Sequence, residues 1–177
     1  VVLPEFYYRK RLDDQVLGGQ VSYQLNSVVL LREKNNEFLR VGGGVNWRRN
    51  WQSSGGLIGS YYAALSGNVY STHNHLDYGT VTDTEVVPLL ATDISWPLAK
   101  QVGTVTHVIE PMAQLVWSPD RSGSDINEDS DQVEFEQANL FSYNRFPGFD
   151  KTESGLRLNL GVAYKRYNTA GWSYGMT

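Results

Sequence analysis

Apolar side chains recur at every second position of this chain, over unusually long runs. Leu156, Leu158, Leu160, Val162 and Tyr164 alternate with Arg157, Asn159, Gly161, Ala163 and Lys165. Leu39, Val41, Gly43, Val45 and Trp47 alternate in the same way with Arg40, Gly42, Gly44, Asn46 and Arg48. Val21, Tyr23, Leu25, Ser27, Val29 and Leu31 face away from Gln20, Ser22, Gln24 and Asn26, and a further face runs from Leu57 to Val69. Weaker alternation follows over 86–98 and 109–117. Such alternation marks strands whose two faces meet different surroundings. No stretch of comparable length shows helical spacing, so the chain reads as all-β.

Turn residues divide it into about eight strands, roughly 3–12, 19–33, 37–53, 56–72, 83–99, 104–118, 155–168 and 171–177. Leu17-Gly18-Gly19, Lys34-Asn35-Asn36, Ser53-Ser54-Gly55-Gly56 and Lys100 to Gly103 supply short breaks. Two longer connections are expected, around 72–82 and 118–154. Both follow even-numbered strands and therefore fall at one rim of an up-and-down sheet. Strands of this length, with short turns at one rim and long loops at the other, are the pattern of an antiparallel up-and-down transmembrane β-barrel wall. The whole of 1–177 reads as a single segment of such a wall. The aromatics of the long loop, Phe141, Tyr143, Phe146 and Phe149, predict that it folds over or into the barrel mouth.

In a membrane the apolar face would meet lipid and the polar face a wet lumen. Gln20, Gln24, Arg40, Arg48, Arg157 and Lys165 all fall on the polar register and are the candidate lumen-facing residues. Tyr7/Tyr8, Trp47/Trp51, Tyr61/Tyr62/Tyr70, Trp96 and Trp117 lie near strand ends, as interfacial girdles require. Alternation alone does not say which face is wet, so a soluble β-sandwich or lipocalin-like barrel with its apolar face inside stays open.

Composition narrows the classes. Fifteen Lys+Arg against 19 Asp+Glu give a net charge of −4, which argues against a nucleic-acid partner. Aromatics at 12% are unlike a disordered segment. No Cys is present, which excludes thiolate chemistry within this stretch. The longest apolar run, 86–91, is far short of the roughly twenty residues a spanning helix needs. The opening Val1-Val2-Leu3-Pro4-Glu5 has neither Met nor a signal sequence and reads as cut from a longer chain.

Chemistry-bearing patterns are weak. His73-Asn74-His75 places two imidazoles together without a third ligand. The acidic stretch 125–131 with Glu136 imitates an EF-hand loop, but Ser130 stands where Gly is needed and no helical pattern flanks it. Gly42-Gly43-Gly44 lies inside a strand, where close packing or a bend explains it better than phosphate binding. His107 and Glu110 lie in opposite registers. No catalytic, metal or cofactor residue is assigned, and the chain does not read as an enzyme.

An ordered set of motifs is more specific: Thr106-His107-Val108-Ile109-Glu110-Pro111-Met112-Ala113-Gln114-Leu115, then Asn127-Glu128-Asp129-Ser130, then Asn139-Leu140-Phe141-Ser142 and Arg145-Phe146-Pro147-Gly148-Phe149-Asp150. With Leu3-Pro4-Glu5-Phe6 and Asp93-Ile94-Ser95-Trp96-Pro97, they resemble the C-terminal barrel domain of the LptD family (organic solvent tolerance protein) in its alphaproteobacterial form. The resemblance implies a non-enzymatic part of the Gram-negative outer-membrane translocon that inserts lipopolysaccharide into the outer leaflet. It implies as partners lipopolysaccharide, outer-membrane lipid, a plug lipoprotein of the LptE type and periplasmic lipopolysaccharide-bridge proteins that meet a jelly-roll domain outside this chain. Two other readings stand beside it: a self-contained eight-stranded barrel acting as a porin or adhesin, and a soluble all-β carbohydrate-binding module.

Overall fold

A computed structural model describes residues 5–32, 36–75, 79–120, 139–146, 148–149, 151–168 and 173–176; the side chains of residues 32, 36, 74, 75 and 173 are excepted. Nine strands form one antiparallel sheet: β1 (Phe6–Val16), β2 (Gly19–Arg32), β3 (Asn36–Gln52), β4 (Ile58–His75), β5 (Gly79–Ser95), β6 (Leu98–Val102), β7 (Val105–Ser118), β8 (Gly155–Asn168) and β9 (Ser173–Met176). Neighbours in sequence are neighbours in space from β1 to β9, the up-and-down order the alternation predicts. β5 and β6 both pair with β7 and make up one strand. Ser95 opposes Met112 and Leu98 opposes Ile109 in a single register, and the break falls where Pro97 faces the Glu110-Pro111 step. Proline has no N–H to give the ladder; the Trp96 N–H still reaches the Pro111 carbonyl at 3.0 Å.

Turn chemistry sets the registers. Val16 pairs with Gly19, so β1 and β2 are joined by two residues, Leu17 and Gly18, with φ of 51° and 71°. Two-residue hairpins favour this left-handed pair because its twist matches that of the strands. Glycine adopts it freely, whereas leucine does so at a cost. The connection expected around 72–82 is different from its prediction: β4 continues to His75 and β5 starts at Gly79. The stretch expected as loop holds Thr72, Thr80 and Thr82, yet β-branched threonine suits a pleated sheet, and the Thr72 hydroxyl accepts the Val81 N–H at 3.1 Å. The rim asymmetry therefore rests on the single long connection between β7 and β8.

The two faces of the sheet are unequal in the sense opposite to a soluble core. Leu156, Leu158 and Leu160 are 68%, 63% and 65% exposed, and Leu25, Val41, Val45, Leu65, Leu90 and Ile109 on the same face are also open. The opposite face holds the buried residues, among them Arg40, Asn26, Asn68, Gln114 and Asn159 beside Phe38, Tyr70, Leu89 and Val116. A sandwich or lipocalin with leucines inside is contradicted by this arrangement. Among the described residues β1 pairs only with β2 and β9 only with β8, so the sheet is open and does not close on itself. The aromatics divide between the faces. Tyr8, Trp47, Trp51, Tyr61, Trp96 and Trp117 share the leucine face, but Tyr7, Tyr62 and Tyr70 pair in register with Asn26, Arg48 and Arg40 and belong to the polar face. Those three cannot serve in a girdle.

Leu17 is 82% exposed and makes no packing contribution that a polar residue would forfeit. Leu17→Asn, which tolerates the left-handed region, is expected to raise stability by about 0.5–1 kcal/mol, read as a higher urea midpoint for unfolding of the full-length protein.

Candidate functional site

Residues 139–146, 148–149 and 151–154 lie across the polar face as a strap over β3, β4, β5, β7 and β8. Its seat explains the weak alternation of β5. Val87, Leu89 and Ala91 are buried on the polar side while Val86 and Leu90 are exposed on the other, so both faces of this strand are apolar. Leu89, Ala91 and Val116 pack with Tyr62 and Ala64 of β4 and with Tyr143 of the strap. The Tyr143 ring stacks on Tyr62 at 4.2 Å between centroids, and the Arg48 guanidinium lies 5.8 Å from its centre.

Around this apolar seat the polar groups satisfy one another. Asp93 Oδ2 accepts from Ser60 Oγ at 2.7 Å and from Tyr143 Oη; its Oδ1 accepts from Gln114 Nε2 at 2.8 Å. Gln114 also donates to the Phe141 carbonyl at 2.8 Å and accepts from Asn159 Nδ2 at 2.8 Å. A buried amide is costly unless its donors and acceptor are all used, and here they are. Further along, Asn68 Nδ2 donates to the Phe149 carbonyl at 2.9 Å and Arg40 lies 5.5 Å from the Phe149 ring centre. Gly42 makes room for this: a Cβ there would stand 2.1 Å from Asn68 Oδ1. The glycine run is a packing device.

A second clasp closes the strap on itself and on β8. Arg145 Nε donates to both Glu153 oxygens at 3.0 and 2.8 Å, and Arg157 Nη1 lies 2.9 Å from Glu153 Oε2. Arg157 also donates to the Tyr143 carbonyl. Burial alone would raise the Glu153 carboxyl, but the Arg145 hydrogen bonds and the Arg157 and Arg145 charges outweigh it and hold it below the usual range. The Tyr143 phenol is pushed up to about 12, by burial first and then by its bond to Asp93. It is therefore a hydrogen-bond donor throughout the neutral range.

Between strap and sheet lies a cavity of about 290 Å³ whose walls include Arg9, Gln24, Asn46, Tyr62, Tyr143 and Lys151. It adjoins an open groove of about 620 Å³ lined by Arg9, Arg11, Gln20, Ser22, Asn46 and Arg48. The whole of 1–177 matches the family described as LptD, LPS transport system D. The chain belongs to the LptD family. Its role is in lipopolysaccharide transport and outer-membrane assembly. A search of the curated proteins found no match to the chain.

Within this LptD segment all six residues singled out from sequence share the polar face, since Gln20 pairs with Arg48 and Arg157 with Val116 across the same registers. They do not form one site. Arg40, Arg48 and Arg157 are engaged with the strap, while Gln20 and Gln24 border the groove and cavity. Lys165 stands apart beside Glu110 at 3.8 Å. Asp93, Gln114, Asn159 and Glu153 were not singled out by sequence reasoning. Gln114 between exposed-register Ala113 and Leu115, and Asn159 between two leucines, were the signals that could have found the network. His73 is exposed on β4, the side chains of Asn74 and His75 lie outside the described residues, and so does the acidic stretch 125–136.

The clasp has a pH signature. A carboxyl lowered by folding contributes stability that is present above its unfolded pKa and is lost as pH falls through the lower folded value. Tyrosine raised by folding is the reverse: its contribution is complete below about 10 and is lost as pH rises toward about 12. Trypsin cleavage after Arg145 or Lys151 should thus be slow at pH 7. Glu153→Gln should speed it about tenfold or more, the effect of losing charge-assisted hydrogen bonds that hold a segment closed. Unchanged cleavage in Glu153→Gln would contradict the clasp.

Proposed function

We propose that this chain is a section of the wall of an outer-membrane β-barrel that inserts lipopolysaccharide into the outer leaflet, and that its work is done without catalysis. The observation that supports this most strongly is the inverted amphipathicity of the sheet. Leucines are open along one face, while Arg40 and the amides of Asn26, Asn68, Gln114 and Asn159 are buried on the other. Backbone groups in lipid must pair internally, so in the membrane the open edges of β1 and β9 would be completed by neighbouring strands of a larger barrel. The polar face then lines the lumen, with Gln20, Gln24, Arg40, Arg48, Arg157 and Lys165 on it. The strap narrows that lumen. The groove beside it, with Arg9, Arg11 and Arg48, offers guanidinium groups to the phosphates and sugars of lipopolysaccharide, or to a plug lipoprotein of the LptE type. Contact with periplasmic bridge proteins falls to parts of the family's architecture outside this segment.

Photo-crosslinking in cells tests the lumen assignment. A photoreactive residue at Gln24 should yield adducts with a lipoprotein, and the same residue at neighbouring Leu25 should not. Adducts from Leu25 alone would overturn the reading. The lipid-facing assignment makes a separate demand: Leu158→Arg should cost about 2–4 kcal/mol of folding free energy in bilayers if it sits near mid-membrane, measured by urea titration of folding into vesicles.

A further inference from the structure

The leucine face ends in a row that carries two cations. Lys100 on β6 opposes His107 on β7, His107 opposes Arg166 on β8, and Arg166 opposes Tyr174 on β9. Alternation places all four on the same side as Leu98, Ile109 and Tyr164, which form the preceding cross-strand row. Beyond the cations come only Val102, Val105 and Asn168 before the Gly103 turn. Lys100, Arg166 and Tyr174 are exposed and His107 is half-buried. Among the described residues no carboxylate pairs with Lys100 or Arg166, and this stretch of the leucine face carries no acid. Glu110, the nearest in sequence, turns to the polar side and lies 3.8 Å from Lys165.

His107 is also fixed. Its Nδ1 and the Tyr164 hydroxyl are 2.7 Å apart, and the two rings stack at 6.1 Å. That leaves Nε2 as the ring's remaining hydrogen-bonding atom. Adjacent strands lie about 4.8 Å apart, so Lys100 and Arg166 are separated by about 10 Å. Two cations at that spacing, flanked by tyrosines and standing at the edge of an apolar band, match the level where lipid phosphates meet water.

We propose that Lys100, His107 and Arg166 form a binding site for the phosphate of an anionic glycerophospholipid on the outside of the barrel wall. The site lies at the short-turn rim, which in such barrels is the periplasmic one. This rests on the membrane-spanning reading above. Lysine and arginine supply the charge, and the aliphatic stems of both run along the last apolar row. Tyr164 and Tyr174 hold the glycerol level. The site would keep anionic lipid at this sector and so fix the depth of the wall in the inner leaflet.

The test uses the full-length protein reconstituted in vesicles of phosphatidylcholine with a minority of phosphatidylglycerol. The readout is enrichment of spin-labelled phosphatidylglycerol over spin-labelled phosphatidylcholine at the protein boundary. Wild type should show enrichment, and Lys100→Gln and Arg166→Gln should each reduce the affinity of the site about fivefold. Lys165→Gln, one residue away on the opposite face, should leave it unchanged. Heat-modifiable gel mobility identifies variants that remain folded. A folded, inserted protein with no enrichment, or enrichment that survives Lys100→Gln and Arg166→Gln combined in one chain, would overturn the site while leaving the barrel intact. Failure of the wild type to insert at all would instead overturn the membrane reading on which the site rests.

Discussion

The structure depends on one constraint: side chains of a strand alternate, so a sheet can present hydrocarbon on one side and hydrogen-bonding groups on the other without any helix or second layer. In this LptD segment every long strand obeys the same parity. The ladder from Gln20–Arg48 across to Val116–Arg157 keeps Gln20, Gln24, Arg40, Arg48, Arg157 and Lys165 on a single face. A slip of one residue in any ladder would carry arginines to the leucine side and leucines beneath the strap. Register is therefore what couples sequence to placement here, and the turns that set it, above all Leu17-Gly18 and Gly103, are short.

Given that division, the strap answers a question the sheet alone would leave open. A broad polar face with buried amides such as Gln114 and Asn68 and the half-buried carboxylate of Asp93 needs partners for these groups. Backbone carbonyls of Phe141, Tyr143 and Phe149 and the Tyr143 hydroxyl provide them. The aromatic rings of the same segment cover the apolar residues that β5 and β7 add to this face. Packing and polar pairing thus select the same position for one stretch of chain. Such agreement between levels is what makes a docked segment specific rather than merely sticky.

How much of this was legible follows from the physics of each signal. Strand identity and facing were readable wherever one side was uniformly apolar, as in 156–164 and 39–47. β5 was the weakest strand to read because Val87, Leu89 and Ala91 serve the strap while Val86 and Leu90 serve the opposite face. A strand that is apolar on both faces loses its period-two contrast. The 72–82 region lacks the apolar alternation of its neighbours and reads as loop, although the branching of its threonines favours strand. Tyr7, Tyr62 and Tyr70 were placed in a girdle on position along the strand, but parity assigns them to the other face. The Asp93–Gln114–Asn159 network spans β5, β7 and β8 and joins residues far apart in sequence, so no local pattern could expose it. The lumen candidates were legible as a face, yet not as the separate strap-bound and open groups that the structure displays.

The central claim is that the leucine side of this sheet meets hydrocarbon. Nitroxide labels introduced singly at 156 through 163 of the full-length protein in bilayers, read by collision with oxygen and with a water-soluble nickel complex, test it most directly. The account predicts a period of two, with oxygen dominating at 156, 158, 160 and 162 and not at the positions between them. The opposite phase, or no alternation at all, would contradict it.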